Sequence, residues 1–149
     1  MKNISITIDK KEILEEVSLA TAYTGAKSGG DESMFERVAT ITEDEALLTR
    51  LWNGLGGILT EKFKSFIISS EITSGSFLLT LEVSGAYDDS LTSSVKSDIN
   101  GGVAAGVVAG WFRISFPEKS SEWEKQSEML LSRAFSKLYH RRRPSRRES

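Results

Sequence analysis

A chain of 149 residues with 39% hydrophobic and 27% charged residues is the size of one domain and apolar enough to bury a core, which excludes a disordered polymer. It has no cysteine and a single histidine, His140, so disulfides, thiolate metal sites, cysteine nucleophiles and multi-histidine sites within one chain are excluded. The net charge of −2 hides an asymmetry: residues 133–149 carry seven Lys/Arg against one acid, and residues 1–132 carry twelve bases against twenty acids.

An acidic body with a basic end points to electrostatic docking on an acidic partner or on nucleic acid; a solvated charged helix end is the plainer alternative. The stretch Met1 to Lys11 lacks a basic segment followed by an apolar run, so a secretory signal is not expected and the protein reads as cytoplasmic in origin.

In chain order, Ile4, Ile6 and Ile8 alternate with Ser5 and Thr7, predicting a strand over 3–8 with one apolar face. Asp9 and Glu12 have capping-box spacing, and Ile13, Val17 and Ala20 share a helical face, which predicts a helix over 10–23. Thr24 to Asp31 is small, polar and glycine-rich, the composition of an exposed loop that stays disordered in an isolated subunit, with a short helical turn expected near Met34 to Val38.

Thr42 and Glu45 open the strongest helical pattern, expected over 43–64, in which Leu48, Leu51, Trp52, Leu55, Ile58, Leu59 and Phe63 form an apolar stripe. Gly54, Gly56 and Gly57 interrupt it, each at up to about 1 kcal/mol relative to Ala, so a close neighbour or a kink is expected there. Residues 66–72 and 77–83 flank Thr-Ser-Gly-Ser and predict a β-hairpin.

A third helix, expected over 89–112 and capped by Asp88 or Asp89, carries Gly102, Gly106 and Gly110 at four-residue spacing, a face of small residues for close helix packing. Its uncharged run from Ile99 to Phe112 is 14 residues, short of the roughly 20 that span a bilayer, so a buried core helix is expected and no membrane partner. Pro117 breaks the pattern, and Ser121 with Glu124 opens a last helix over 121–142 that carries Trp123, Leu130, Leu131, Ala134, Phe135 and Leu138, of which Trp123, Leu130, Ala134 and Leu138 are expected to be buried.

The expected fold is α+β and mainly α: a helical bundle with a small antiparallel β-hairpin and a short N-terminal strand. One domain covers residues 1–143, and a basic tail covers 144–149.

Two phosphate-loop candidates fail on spacing. Gly25-Ala-Lys27-Ser28 has Ala26 where the Walker pattern requires glycine, and Asn53-Gly-Leu-Gly-Gly57 lacks the third glycine of a dinucleotide fingerprint. The acid runs Glu15/Glu16, Glu43/Asp44/Glu45 and Asp88/Asp89 lie near helix ends or on polar faces, where carboxylates favour the helix dipole or solvate the surface. His140 sits among cations, in Tyr-His-Arg-Arg-Arg, with no acid or nucleophile partner in view. No catalytic residue, cofactor or metal site is expected, and the chain does not read as an enzyme.

Asp44-Glu45-Ala46-Leu47-Leu48 and Val107-Val108-Ala109-Gly110-Trp111-Phe112-Arg113 together resemble the head–tail connector, or adaptor, proteins of tailed bacteriophages. Ala22-Tyr-Thr-Gly-Ala-Lys27, Leu51-Trp52 and Arg141-Arg-Arg-Pro144 are similar to small phage and prophage proteins of unknown role. The hairpin over 66–83 departs from the simplest all-helical adaptors.

The resemblance implies a virion protein, made in the host bacterial cytoplasm, that forms a ring of commonly twelve copies between portal and tail. DNA passes through the lumen of such a ring. Its partners would be further copies of itself, the portal protein and tail proteins. Arg133, Arg141, Arg142, Arg143, Arg146 and Arg147 are the expected contacts to carboxylates or DNA phosphates, since the guanidinium fork binds either through two hydrogen bonds. The alternatives are a tail terminator or completion protein, and a nucleic-acid-binding accessory protein that uses the basic tail.

Overall fold

The computed structural model describes residues 1–27, 45–73 and 75–142. Among these, an N-terminal strand β1 (Lys2–Asp9) leads into helix α1 (Lys10–Lys27), and helix α2 (Glu45–Lys62) is followed by the hairpin β2 (Ile67–Ile72) and β3 (Ser76–Val83). A 3-10 turn over Asp89–Leu91 then opens the long helix α3 (Thr92–Ser115), which Phe116 joins to α4 (Pro117–Lys137). The fold is thus α+β and mainly α, four helices and a three-stranded antiparallel sheet among the described residues.

β3 is the middle strand, with β1 on one side and β2 on the other. Register sets Ile4 opposite Leu81, Ile6 opposite Leu79 and Ile8 opposite Phe77, and all six are buried. One face of these two strands is therefore continuous hydrocarbon against the helices, while Asn3, Ser5, Thr7 and Asp9 face solvent from β1. β2 is mostly exposed and carries a register shift between Ile67 and Ser69, an irregularity typical of a sheet edge. Thr73 ties the hairpin loop, accepting from Ser76 N through Oγ1 at 3.0 Å and donating its own N–H to Ser76 O at 2.9 Å.

α3 is the central post. Its residues are buried on nearly all sides from Ile99 to Phe112, because α1, α2, α4 and β1 all pack on it, and a helix surrounded in this way has little amphipathic contrast. Among the described residues no helix is long and apolar enough to cross a membrane.

The contact of α3 with α4 is the most extensive between helices and is polar as well as apolar. Ser127 Oγ donates to Gly102 O at 2.6 Å, and Ser120 Oγ donates to Ala109 O at 3.1 Å. Lys137 Nζ donates to both Asp98 Oδ2 and Ser94 Oγ at 2.6 Å, which gives the nearly buried Asp98 carboxylate a cation. Arg113 pairs with Glu124 near the α3–α4 joint.

Element boundaries differ from the sequence reading where local signals misled. α1 continues to Lys27, so Thr24 to Lys27 are helical and not loop; residues 28–31 and the turn expected at 34–38 lie outside the described residues, as does Thr42. Pro117 begins α4 instead of preceding it, because proline at the first helical position gives up an N–H that has no intrahelical partner there. α4 stops at Lys137, and residues 140–142 run as an extended strap back along residues 86–88.

Candidate docking surface

The ring cluster at the basic end is built by two segments that are far apart in the sequence. Phe66 follows α2, while Phe135 and Tyr139 lie on the last turn of α4 and just beyond it. Their rings meet edge to face, with centroids 5.5 Å apart for Phe66–Phe135, 4.9 Å for Phe66–Tyr139 and 5.3 Å for Phe135–Tyr139. Each such pair contributes about 0.5–1.5 kcal/mol beyond area burial, so the trio is a rigid platform. Tyr139 nevertheless remains 60% exposed.

Lys62 reaches this platform from the end of α2, 5.6 Å from the centroid of Phe135, and donates to Ser132 Oγ at 3.3 Å. Its aliphatic stem and charge extend the basic region beyond the C-terminal arginines. Lys64 follows, paired with Glu61 at 2.9 Å. Sequence reading missed Lys62, since only the packing of the segment after α2 on the end of α4 brings it to the basic end.

The strap fixes where the arginines start. Asp88 N donates to His140 O at 3.1 Å, Arg142 N donates to Ala86 O at 2.7 Å, and Tyr87 pairs with Arg141 as an antiparallel bridge. Tyr87 itself is fully buried, its hydroxyl 3.1 Å from Thr92 Oγ1. Residues 140–142, expected as the end of the last helix, are instead docked through their backbone, and Arg141 and Arg142 are exposed. Arg133 is exposed on α4. Arg143, Arg146 and Arg147 lie outside the described residues.

Asp88 is the acid nearest this strap. Hydrogen bonds from Ser90, from Oγ at 2.6 Å and from N at 3.0 Å, hold its carboxyl below the usual carboxylate range, with smaller help from His140 and Arg142. It is the cap of the 3-10 turn that leads into α3.

The glycine face of α3 lies elsewhere, towards α2 and α4. A methyl at Gly102 would meet Leu131 Cδ2 at 2.7 Å, one at Gly106 would meet Leu55 Cδ2 at 2.8 Å, and one at Gly110 would meet Leu51 Cδ2 at 2.7 Å. The absent side chain at Gly106 also clears Ser127 Oγ, 3.2 Å from that methyl position, for its bond to Gly102 O. Gly106, Ala109 and Gly110 floor a groove of about 430 Å³ walled by Leu51, Leu55 and Ile58 and rimmed by charges of both signs.

In α2, Gly56 packs under Ile72, whereas a methyl at Gly54 or Gly57 would meet nothing within 4 Å, so a close neighbour explains one glycine of the three. α2 runs helical through all of them.

A second charged region lies on α1. Glu12, Glu15, Glu16 and Leu19 are exposed, and Glu16 edges a polar cleft shared with Lys96, Asp98 and Asn100. Burial pushes the Glu16 carboxyl above its ordinary range. Among the described residues no group of three or more His, Asp or Glu side chains is placed to hold a metal ion.

No family model, no curated protein and no solved structure matches this chain.

Proposed function

We propose that this protein is a structural virion subunit of a tailed phage, a head–tail connector that assembles with copies of itself into a ring below the portal. The observation that carries the reading is the exposed, basic, tyrosine-bearing end on an acidic body. A cyclic ring needs two different surfaces per subunit that complement each other, and opposite charge at separate places on one chain meets that need. The rigid ring platform under Tyr139 suits a docking surface, since little side-chain entropy is lost when it is covered.

The connector role rests on the resemblance at Asp44–Leu48 and Val107–Arg113 together with this charge arrangement. In this reading the arginines hold the subunit to carboxylates of the portal or of a neighbouring copy. The test is the mass of the purified protein in solution over a wide concentration range, alone and with the portal protein of the same phage. The expected species is a closed oligomer, a whole-number multiple of 16.5 kDa, bound to the portal. A monomer under every condition that also ignores the portal would overturn the proposal. Salt-sensitive DNA binding by such a monomer would put the nucleic-acid accessory role in its place.

A further inference from the structure

We propose that β2 is a docking edge for a second copy of this chain, the two β2 strands pairing antiparallel about a two-fold axis at Ser70. The pairing goes beyond the connector reading and stands without it, because it closes at two copies whereas a ring needs head-to-tail contacts.

β2 is an outer strand of the sheet, hydrogen-bonded to β3 on one side. Register decides which of its backbone groups lie on the other side. Thr73 N donates to Ser76 O, so these two residues form a hydrogen-bonded pair, and every second pair along an antiparallel ladder shares that character. Glu71 with Leu78 and Ser69 with Thr80 are therefore bonded pairs, while Ser70, opposite Leu79, and Ile72, opposite Phe77, turn their N–H and C=O away from β3. No other described segment bonds these outward groups through its backbone. Alternating donors and acceptors at strand spacing are matched by another extended backbone.

Open sheet edges are commonly guarded by lysine, proline or a bulge. The irregularity of β2 lies at its start, between Ile67 and Ser69, and Ser69 to Ile72 keep a regular register. The strand has no lysine or proline, and Ile68 and Ile72 are each 50% exposed. β1, the other outer strand, exposes Asn3, Ser5 and Thr7 and buries its isoleucines, so it lacks such a row.

The side chains select the occupant. Pairing centred on Ser70 sets Ile68 of each copy beside Ile72 of the other and sets Glu71, the sole charge of the strand, beside Ser69. Centring on Glu71 would oppose two like charges, and centring on Ser69 would set Glu71 against Ile67, so β2 complements itself in one register. Glu61 and Lys64, which precede the strand, pair with each other. Six residues from each copy make a small interface, so the dimer is weak and forms at high protein concentration.

Amide exchange read by nuclear magnetic resonance, beside sedimentation, tests the pairing on the intact chain. Protein is taken from high dilution to about 1 mM, the scale of a weak contact, in salt that screens the charge-borne contacts of the connector reading. Dimers are expected, with the Ser70 and Ile72 amides slowing in step with the dimer fraction while the Glu71 amide, bonded within the subunit, stays protected throughout. Ser70→Pro removes an N–H that makes no bond within the subunit and is expected to weaken dimerisation by roughly tenfold or more. Ser70→Thr keeps that N–H and is expected to dimerise like the wild type. Ile68→Lys, which leaves the backbone intact, takes the place of the proline variant if circular dichroism shows that the latter does not fold.

A chain that is monomeric throughout overturns the pairing, and so does a dimer whose Ser70 and Ile72 amides exchange as fast as in the monomer. Slow exchange of those amides at every dilution would mean that another segment of the same chain covers the edge, which overturns it as well. A larger oligomer in which they stay fast removes this contact and leaves the connector reading in place.

Discussion

Gly106 is the residue at which a missing side chain does the most. Its hydrogen leaves room both for Leu55 and for the Ser127 hydroxyl that bonds the carbonyl one helical turn earlier. Gly106→Leu is expected to overpack this site and destabilise the protein by on the order of 1–3 kcal/mol, read from urea unfolding. Gly57, with open space around its α-carbon and a helical backbone, is the contrasting case. There Gly57→Ala should raise stability by about 0.5–1 kcal/mol, because alanine has less backbone freedom to lose. Equal effects at the two positions would show that the glycines do not differ in packing.

Glu16 supplies a pH test at the same scale. Its raised pKa means that the folded state binds the proton more tightly than the unfolded state. The cost of burying the charged form is present at neutral pH and is relieved as pH falls through the folded pKa. Glu16→Gln is therefore expected to melt above the wild type at neutral pH, with the difference vanishing in acid below the ordinary glutamate range. A difference that grew in acid would contradict the assigned cause.

Among the elements, the strap over residues 140–142 matters most for how the chain is cut. A chain ending at Tyr139 loses the bonds from Asp88 N to His140 O and from Arg142 N to Ala86 O, and with them the cover beside the buried Tyr87. It is expected to melt lower than the full chain, whereas a chain ending at Arg142 should melt with it. Thermal melts of both, followed by circular dichroism, check this directly. Identical melting of the two truncations would mean that the strap adds nothing to the fold. The strap also explains why the helical pattern of α4 stops early: once the chain pairs with residues 86–88, residues 140–142 must be extended.

For the whole molecule, the charge distribution predicts how assembly responds to salt. Exposed arginines and glutamates act through water, so raising ionic strength shortens their reach to a few ångströms and weakens any contact made mainly by them. Self-association of the full chain is expected to fall steeply with added salt while its melting temperature changes little, as the core is apolar. Removing residues 143–149, which carry Arg143, Arg146 and Arg147, should weaken the same assembly without unfolding the domain. Salt-independent assembly would show that apolar contact, for example through the groove beside Ile58, governs instead.

Much of this architecture is local and could be read in one dimension. The alternation of Ile4, Ile6 and Ile8, the hairpin turn at Thr73 to Ser76 and the apolar stripe from Leu48 to Phe63 depend on periods of two and 3.6 that any strand or helix must obey. The spacing of Gly102, Gly106 and Gly110 likewise announced a tight helix face, because four residues return to nearly the same side of a helix.

What the tertiary structure alone decided is which segments meet. That β3 lies between β1 and β2, that Phe66 carries Lys62 to Tyr139, and that residues 140–142 turn back onto Tyr87 follow from burying one shared core. Packing acts across the whole chain, whereas sequence periodicity speaks only for a residue and its near neighbours.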